Sequence, residues 1–168
     1  SGERIDKRSD MPCEIKLENV RYRYPGAEKD TIKGLDLTIH AGEKLAIVGL
    51  NGAGKTTLLR DTVRQLSDGG LSAAIADERG EIAACYMGAP TLDVGERTDV
   101  MDMCPKAEGI RKLVRSMSPR LIVTDEIGTK EEADALLDAK NCGTVAIASA
   151  HASSVEDALR REHIRALI

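Results

Sequence analysis

The stretch "GLNGAGKT", Gly49 to Thr56, matches the pattern G-x-x-x-x-G-K-[ST] in full. The apolar run "KLAIV" precedes it and a helix-forming segment follows it. This context predicts a buried strand, a glycine-rich loop and a helix that opens on the loop. Glycines let main-chain N–H groups converge on an anion. A helix start adds unpaired donors and the positive end of its dipole. On this reading Asn51, Gly52, Ala53, Gly54, Lys55, Thr56 and Thr57 cradle nucleotide phosphates. Lys55 reaches the β- and γ-phosphates as a point charge, and the Thr56 hydroxyl suits Mg²⁺.

Upstream, "EIKLENV" and "LDLTI" alternate apolar and polar residues, with turn residues "YPGAEKD" between them. They predict half-buried antiparallel strands. Downstream, strand and helix patterns alternate. A helix is expected over 55–66, then the strand "LSAAIAD". Residues 78–105, broken by Pro90, Gly95 and Pro105, receive no assignment. Residues 107–117 place Ile110, Leu113, Val114 and Met117 on one helical face. Strand "LIVTD", helix 130–140, strand "TVAIASA", helix 153–161 and a last strand near 164–168 complete the pattern. Such alternation implies a parallel sheet covered on both faces.

The 168 residues suffice for one domain with a proper core. With no Phe, no Trp and three Tyr, that core must be aliphatic. A formal charge of −4 and the lack of aromatic platforms argue against nucleic acid as a partner. No apolar run approaches the roughly 18–20 residues of a membrane helix, which argues against direct membrane insertion. Cysteines at 13, 85, 104 and 142 form no C-x-x-C pair, so they read as free thiols of a reducing cytoplasm rather than zinc ligands. The opening on Ser1 rather than Met reads as processing or excision, and residues 1–11 as a flexible leader.

A phosphate loop needs acids at a facing strand end. "LIVTDE" supplies Asp125 for the metal and Glu126 to polarise water. "AAIADE" supplies a runner-up pair, Asp77 and Glu78. His151 ends the strand pattern "TVAIASA", at the sheet edge where ligands of open α/β folds bind, and suits a sensor of the γ-phosphate. His40 and His163 read as surface residues. The text "LSDGG" imitates a nucleotide-binding signature. It lies at the end of the loop's own helix, so Gly69 and Gly70 read as the helix stop.

Two family resemblances follow. Residues 14–58, with their strand pattern, loop and Tyr24–Pro25 pair, resemble the start of an ABC transporter nucleotide-binding domain. That resemblance implies that Tyr24 stacks on adenine. It ends after Thr57: the later glutamine loop and the signature are missing, and Lys55 and Asp125 are too close in sequence for the usual helical subdomain. Residues 54–161 instead resemble the sporulation stage III AA family, RecA-like ATPases related to secretion ATPases. The matching text includes "GKTTLLRD", "DERGEIAACYMGAP", "DVGERTDVMDMCPKAEGIRKLVRSMSP", "LIVTDEIG" and "AHASSVEDALRR". This resemblance implies a strand order 5-1-4-3-2 and Asp125 and Glu126 as the acidic pair. It also implies Asp77 and Glu78 as an extra acidic box, with Glu78 catalytic, and His151 as the histidine box. Arg97 and Lys106 read as surface charges, with completion of a neighbour's site as the alternative.

Together these imply an α/β P-loop NTPase of RecA-like (ASCE) type: a three-layer α/β/α core with a mostly parallel sheet, plus a small N-terminal antiparallel β layer of ABC type. Residues 12–168 are expected to form one domain, with 12–43 the antiparallel portion and 44–168 the core. The expected function is ATP binding and Mg²⁺-dependent hydrolysis by a cytoplasmic chain, a hybrid of the two families joined near the phosphate loop. Lys55, Glu126, His151 and Glu78 are the catalytic candidates. The resemblances leave room for a ring or dimer of copies and for membrane-associated protein partners. An ABC transporter fragment and a hybrid that binds nucleotide or phosphate without turnover stay open as alternatives.

Overall fold

The computed structural model describes residues 15–23, 28–30, 32–39 and 45–168. The expected leader and Tyr24 lie outside the described residues. The chain divides into two compact units, one built on the first two strands and the other on everything from the third strand onward.

In the first unit, β1 (Ile15–Tyr22) pairs antiparallel with β2 (Ile32–Ile39), setting Ile15 opposite Ile39 and Tyr22 opposite Ile32. The register shifts on either side of Val20. There Asn19 adopts φ 47, and its main-chain N–H donates to Asp36 Oδ1 at 2.7 Å. A local bulge of this kind adds twist to a two-stranded ribbon.

The second unit runs β3 (Leu45–Gly49), α1 (Lys55–Asp68), β4 (Ala73–Asp77), β5 (Thr98–Asp102), α2 (Lys106–Met117), β6 (Leu121–Thr124), α3 (Lys130–Asn141), β7 (Val145–His151), α4 (Val155–Leu159) and α5 (Glu162–Arg165). The five strands form one parallel sheet in the order β3-β7-β6-β4-β5. Every residue of β4 and β6 is buried, as apolar runs covered on both faces should be. Ala74, Ala76 and Ile122 join the cluster made with Ile110, Leu113 and Val114 of α2 and Leu136 of α3. By alternation, Ala73, Ile75, Leu121 and Val123 point to the other face, which α1 covers with the fully buried Leu59 and Val63. The core is aliphatic, as the composition requires. Among the described residues no helix is long and apolar enough to cross a membrane.

Three expectations change. Counted from the phosphate-loop strand, β3, β7, β6 and β4 reproduce the 1-4-3-2 part of the expected order. The remaining strand is β5, inside the unassigned stretch 78–105, and it lies at the opposite edge beside β4. Its alternating "TDVMD" with two acids suits an edge. Residues 162–165 form helix α5 rather than a strand: Ile164 and Leu167, three residues apart, both pack on the core, while Ile168 is exposed. Met117 ends α2 half exposed, where Ser118 takes φ 46 and turns the chain.

Two details position the loops. Helix α1 closes with Gly70 N–H on the Ser67 carbonyl (2.9 Å) and Leu71 N–H on the Leu66 carbonyl (3.0 Å), with Gly70 at φ 98. This is a Schellman stop, so "LSDGG" is a helix end. Gly95, at φ 89, passes so close to α1 that a Cβ would stand 2.4 Å from Ser67 Cβ. Beside it, Arg97 N–H donates to Ser67 Oγ at 2.7 Å, tying the entry of β5 to α1.

Candidate nucleotide site

Because all five strands are parallel, their C-terminal tips share one edge of the sheet. Gly49 of β3 lies opposite His151 of β7, Asp125 directly follows β6, and Asp77 of β4 lies opposite Asp102 of β5. The sheet thus gathers the phosphate loop, His151 and both acid pairs on one rim.

Gly52 (φ 78) and Gly54 (φ 82) occupy left-handed backbone that only glycine adopts cheaply. Gly54 is the N-cap of α1, and no side chain caps that helix. The N–H groups of Lys55 and Thr56, which open α1, therefore remain as donors for an anion. A Cβ on Gly49 would meet Ala53 Cβ at 3.3 Å, so the loop folds tightly onto its strand. Lys55 Nζ donates to the carbonyls of Gly49 (2.6 Å) and Leu50 (2.8 Å). An ammonium has three donors, so one is left for a phosphate oxygen. Thr56 is half-buried and Thr57 buried at the start of the helix.

His151 Nδ1 lies 3.0 Å from Asn51 Oδ1, joining the tip of β7 to the phosphate loop across 100 residues of sequence. The Asn51 oxygen can only accept, so Nδ1–H donates the hydrogen bond to it. The other histidine among the described residues departs from expectation. His163 is half-buried, and its Nε2 is buried without a hydrogen-bond partner.

The two acid pairs differ sharply. Asp77 is fully buried and accepts main-chain N–H bonds from Glu81 (2.9 Å), Ile82 (3.1 Å) and Ala83 (2.8 Å). Its carboxylate organises the loop 78–83 rather than facing outward. Arg60 of α1 donates to the carbonyls of Glu81 and Ile82 and holds the same loop from the other side. Glu78 is exposed, and its Oε2 accepts the main-chain N–H of Lys106 at 3.1 Å. Behind this loop, burial pushes the Cys85 thiol up, with Asp102 and Asp77 adding to the shift.

Asp125 is buried. Its Oδ1 lies 2.9 Å from Lys106 Nζ, yet the approach lacks hydrogen-bond geometry and that oxygen accepts no hydrogen bond. Glu126 is half-buried, its carboxylate 3.8 Å from Arg79 Nη1. An exposed pair at that distance contributes little. The Glu126 main chain is held firmly: its N–H donates to Ser149 Oγ (3.0 Å), and its carbonyl accepts from Lys106 Nζ (2.8 Å). Ile127 N–H donates to the Ser149 carbonyl at 2.8 Å, extending the tie to β7.

Lys106 is thus no surface charge, with only 7% of its side chain exposed. Arg97 is exposed, as expected. Sequence reasoning gave Ser149 and Arg60 no role. Arg60 lies within "GKTTLLRD" and Ser149 within "TVAIASA", but their partners appear only when strand tips and loops converge. Among the described residues no three His, Cys, Asp or Glu side chains gather as a metal nest. Mg²⁺ needs none, since it takes water, substrate phosphates and one or two protein oxygens. The uncapped helix start and the hydroxyl of Thr56 fit a Mg²⁺–nucleotide, and Asp125 stands on the same rim with its Oδ1 against the Lys106 ammonium.

Comparison with known proteins agrees with this architecture. The chain is 46% identical over 126 residues to stage III sporulation protein AA of Bacillus subtilis, a match covering 72% of this chain and 41% of that protein. The chain therefore spans about two fifths of the length of this relative. It is also 50% identical over 48 residues to an uncharacterized ABC transporter ATP-binding protein of Mycobacterium tuberculosis, covering 29% of this chain and 7% of that one. Among solved structures, the ATPase DotB of Legionella pneumophila superposes with a TM-score of 0.55 at 20% identity, over 93% of this chain and 52% of DotB. The family model for sporulation stage III, protein AA, matches residues 31–168, so the chain belongs to that family.

Proposed function

We propose that the chain binds ATP with Mg²⁺ at the loop 49–57 and hydrolyses it to ADP and phosphate. The observation that carries this reading is the placement of an uncapped, glycine-started helix, His151 and the Asp125–Glu126 pair on one edge of a parallel sheet. Lys55 and the main-chain N–H groups of Asn51, Gly52, Gly54 and Thr56 bind the phosphates, with Ala53 and Thr57 shaping the cradle; the Ala53 N–H closes the turn on the Leu50 carbonyl at 3.2 Å. Thr56 and Asp125 hold Mg²⁺, which when bound neutralises charge on the phosphate oxygens. Glu126 orients water from a main chain held by Ser149 and Lys106. His151 reports the state of the γ-phosphate to β7 through its bond with Asn51. Glu78 lies one residue beyond the buried Asp77, and its bond to the Lys106 main chain gives it a supporting role at the same rim. The catalytic contribution is positioning and charge stabilisation. Turnover by a lone chain is expected to be slow, since an arginine supplied by a neighbour is worth about 10³–10⁵ in rate. A ring or dimer of copies, with membrane-associated protein partners, follows from the same reading.

The short ABC-like match supports a second element of the proposal. We read residues 12–168 as one domain in which an ABC-type N-terminal portion is followed by a sporulation-type core. Calorimetry with Mg·ATP tests the site. Lys55→Ala is expected to abolish binding, and Glu126→Gln to keep binding while losing turnover. Unchanged affinity in Lys55→Ala removes the reading. Binding without turnover in both wild type and Glu126→Gln replaces it with a nucleotide-binding module.

A further inference from the structure

Lys106 touches three acidic residues that come from two different strand tips. Its side chain approaches Asp125 at 2.9 Å and donates to the Glu126 carbonyl at 2.8 Å, while its main-chain N–H donates to Glu78 at 3.1 Å. Lys106 opens α2 behind Pro105, which gives no side-chain cap, and the helix axis fixes where its ammonium enters. The side chains of Lys106 and Asp125 are only 7% and 5% exposed. A buried ammonium or a buried carboxylate alone is costly, and each offsets the other. The peptide of Glu126 is clamped at both ends, by Ser149 at its N–H side and by Lys106 at its carbonyl. The Glu126 side chain, in contrast, is only half-buried and is met by one distant arginine. Its direction is therefore set mainly by its main chain.

We infer that Lys106 is a positioning residue of this site and the internal counter-ion of Asp125. It aims Glu126 by holding its carbonyl, and it balances the carboxylate that faces the divalent cation. The inference deepens the ATPase reading and rests on it for the role of Glu126.

The test uses the full chain with Lys106→Met, Lys106→Arg, Asp125→Asn and the double variant Lys106→Met/Asp125→Asn. Thermal unfolding is followed with and without MgCl₂ alone. Lys106→Met is expected to unfold at lower temperature than wild type, to regain part of the loss in Mg²⁺, and to regain part of it again when Asp125 is also neutralised. Wild type is expected to shift little in Mg²⁺ alone. Binding of a fluorescent ATP analogue should stay within about threefold of wild type in Lys106→Met, while kcat falls by about 10²-fold, as a small misplacement of a reacting group can cause. Lys106→Arg should recover part of kcat. A merely structural lysine would lower the unfolding temperature and leave kcat intact below it. Additive effects of the two substitutions on unfolding, or a wild-type kcat in folded Lys106→Met, overturn the inference. Absence of turnover in wild type would instead remove the ATPase reading, and the Mg²⁺ response and additivity test would still decide the counter-ion role.

Discussion

At the scale of single residues, the two acid pairs show how burial separates look-alike text. "ADE" and "TDE" differ little as sequence. In the fold Asp77 receives three main-chain N–H groups from its own loop, while Asp125 faces a lysine. Removing the Asp77 carboxylate would orphan several donors at a buried site. Asp77→Ala is therefore expected to destabilise the protein by about 3–5 kcal/mol, whereas Asp77→Asn, which keeps one acceptor oxygen, should cost less. Urea unfolding of the two variants checks the order. Equal losses would show that the loop does not depend on these bonds. Gly95 is likewise fixed by a neighbour, the side chain of Ser67, and nothing in its local sequence announces that contact.

At the scale of elements, local chemistry sets the helix ends. Helix α3 begins with a capping box, Thr129 Oγ1 accepting the Glu132 N–H at 3.2 Å and Glu132 accepting the Thr129 N–H at 3.1 Å. The Ser154 hydroxyl accepts the Asp157 N–H at the start of α4, and Asp157 in turn accepts from Ser153 N–H and Oγ, both at 3.0 Å. These bonds hold the Asp157 carboxyl below its ordinary value, first through the Ser153 main-chain N–H and then through its hydroxyl. Glu156 is lowered as well, first by its own main-chain N–H and then by Ser154. Both folded values lie below the unfolded ones. Their contribution is complete above the unfolded range of about 4 and is lost as pH falls through the folded values. Hydrogen exchange of the Ala158 and Arg160 amides should therefore speed up, relative to the amides of α1, which has no side-chain cap, once the pH drops below about 4. Equal change in both helices would remove the caps as the cause.

At the scale of the whole molecule, a ligand that seats on the phosphate loop should stabilise the unit built around the five-stranded sheet. Mg·ATP at one hundred times its Kd is expected to add about 2.7 kcal/mol to the stability of wild type. The same concentration should leave Lys55→Ala unshifted in a thermal scan. An equal shift in both would place ATP elsewhere on the protein. The sheet also explains how His151 comes to lie beside the loop 49–57. The parallel register of β3 and β7 sets Gly49 beside His151, and the ring meets Asn51 from there.

The sequence by itself determined the local structures: the loop "GLNGAGKT" and its helix, the apolar strands at 73–77, 121–124 and 145–151, and the glycine stop after "LSDGG". These follow from short-range rules of periodicity, backbone freedom and capping, which are written within a few residues. Only the tertiary structure decided the rest. It made β5 an edge strand out of a proline- and glycine-broken segment, folded 162–165 as a helix, and buried Lys106 between acids of different strands. Those outcomes depend on which distant segments meet. The burial that turns a charged residue into a counter-ion is a property of the neighbours that packing supplies.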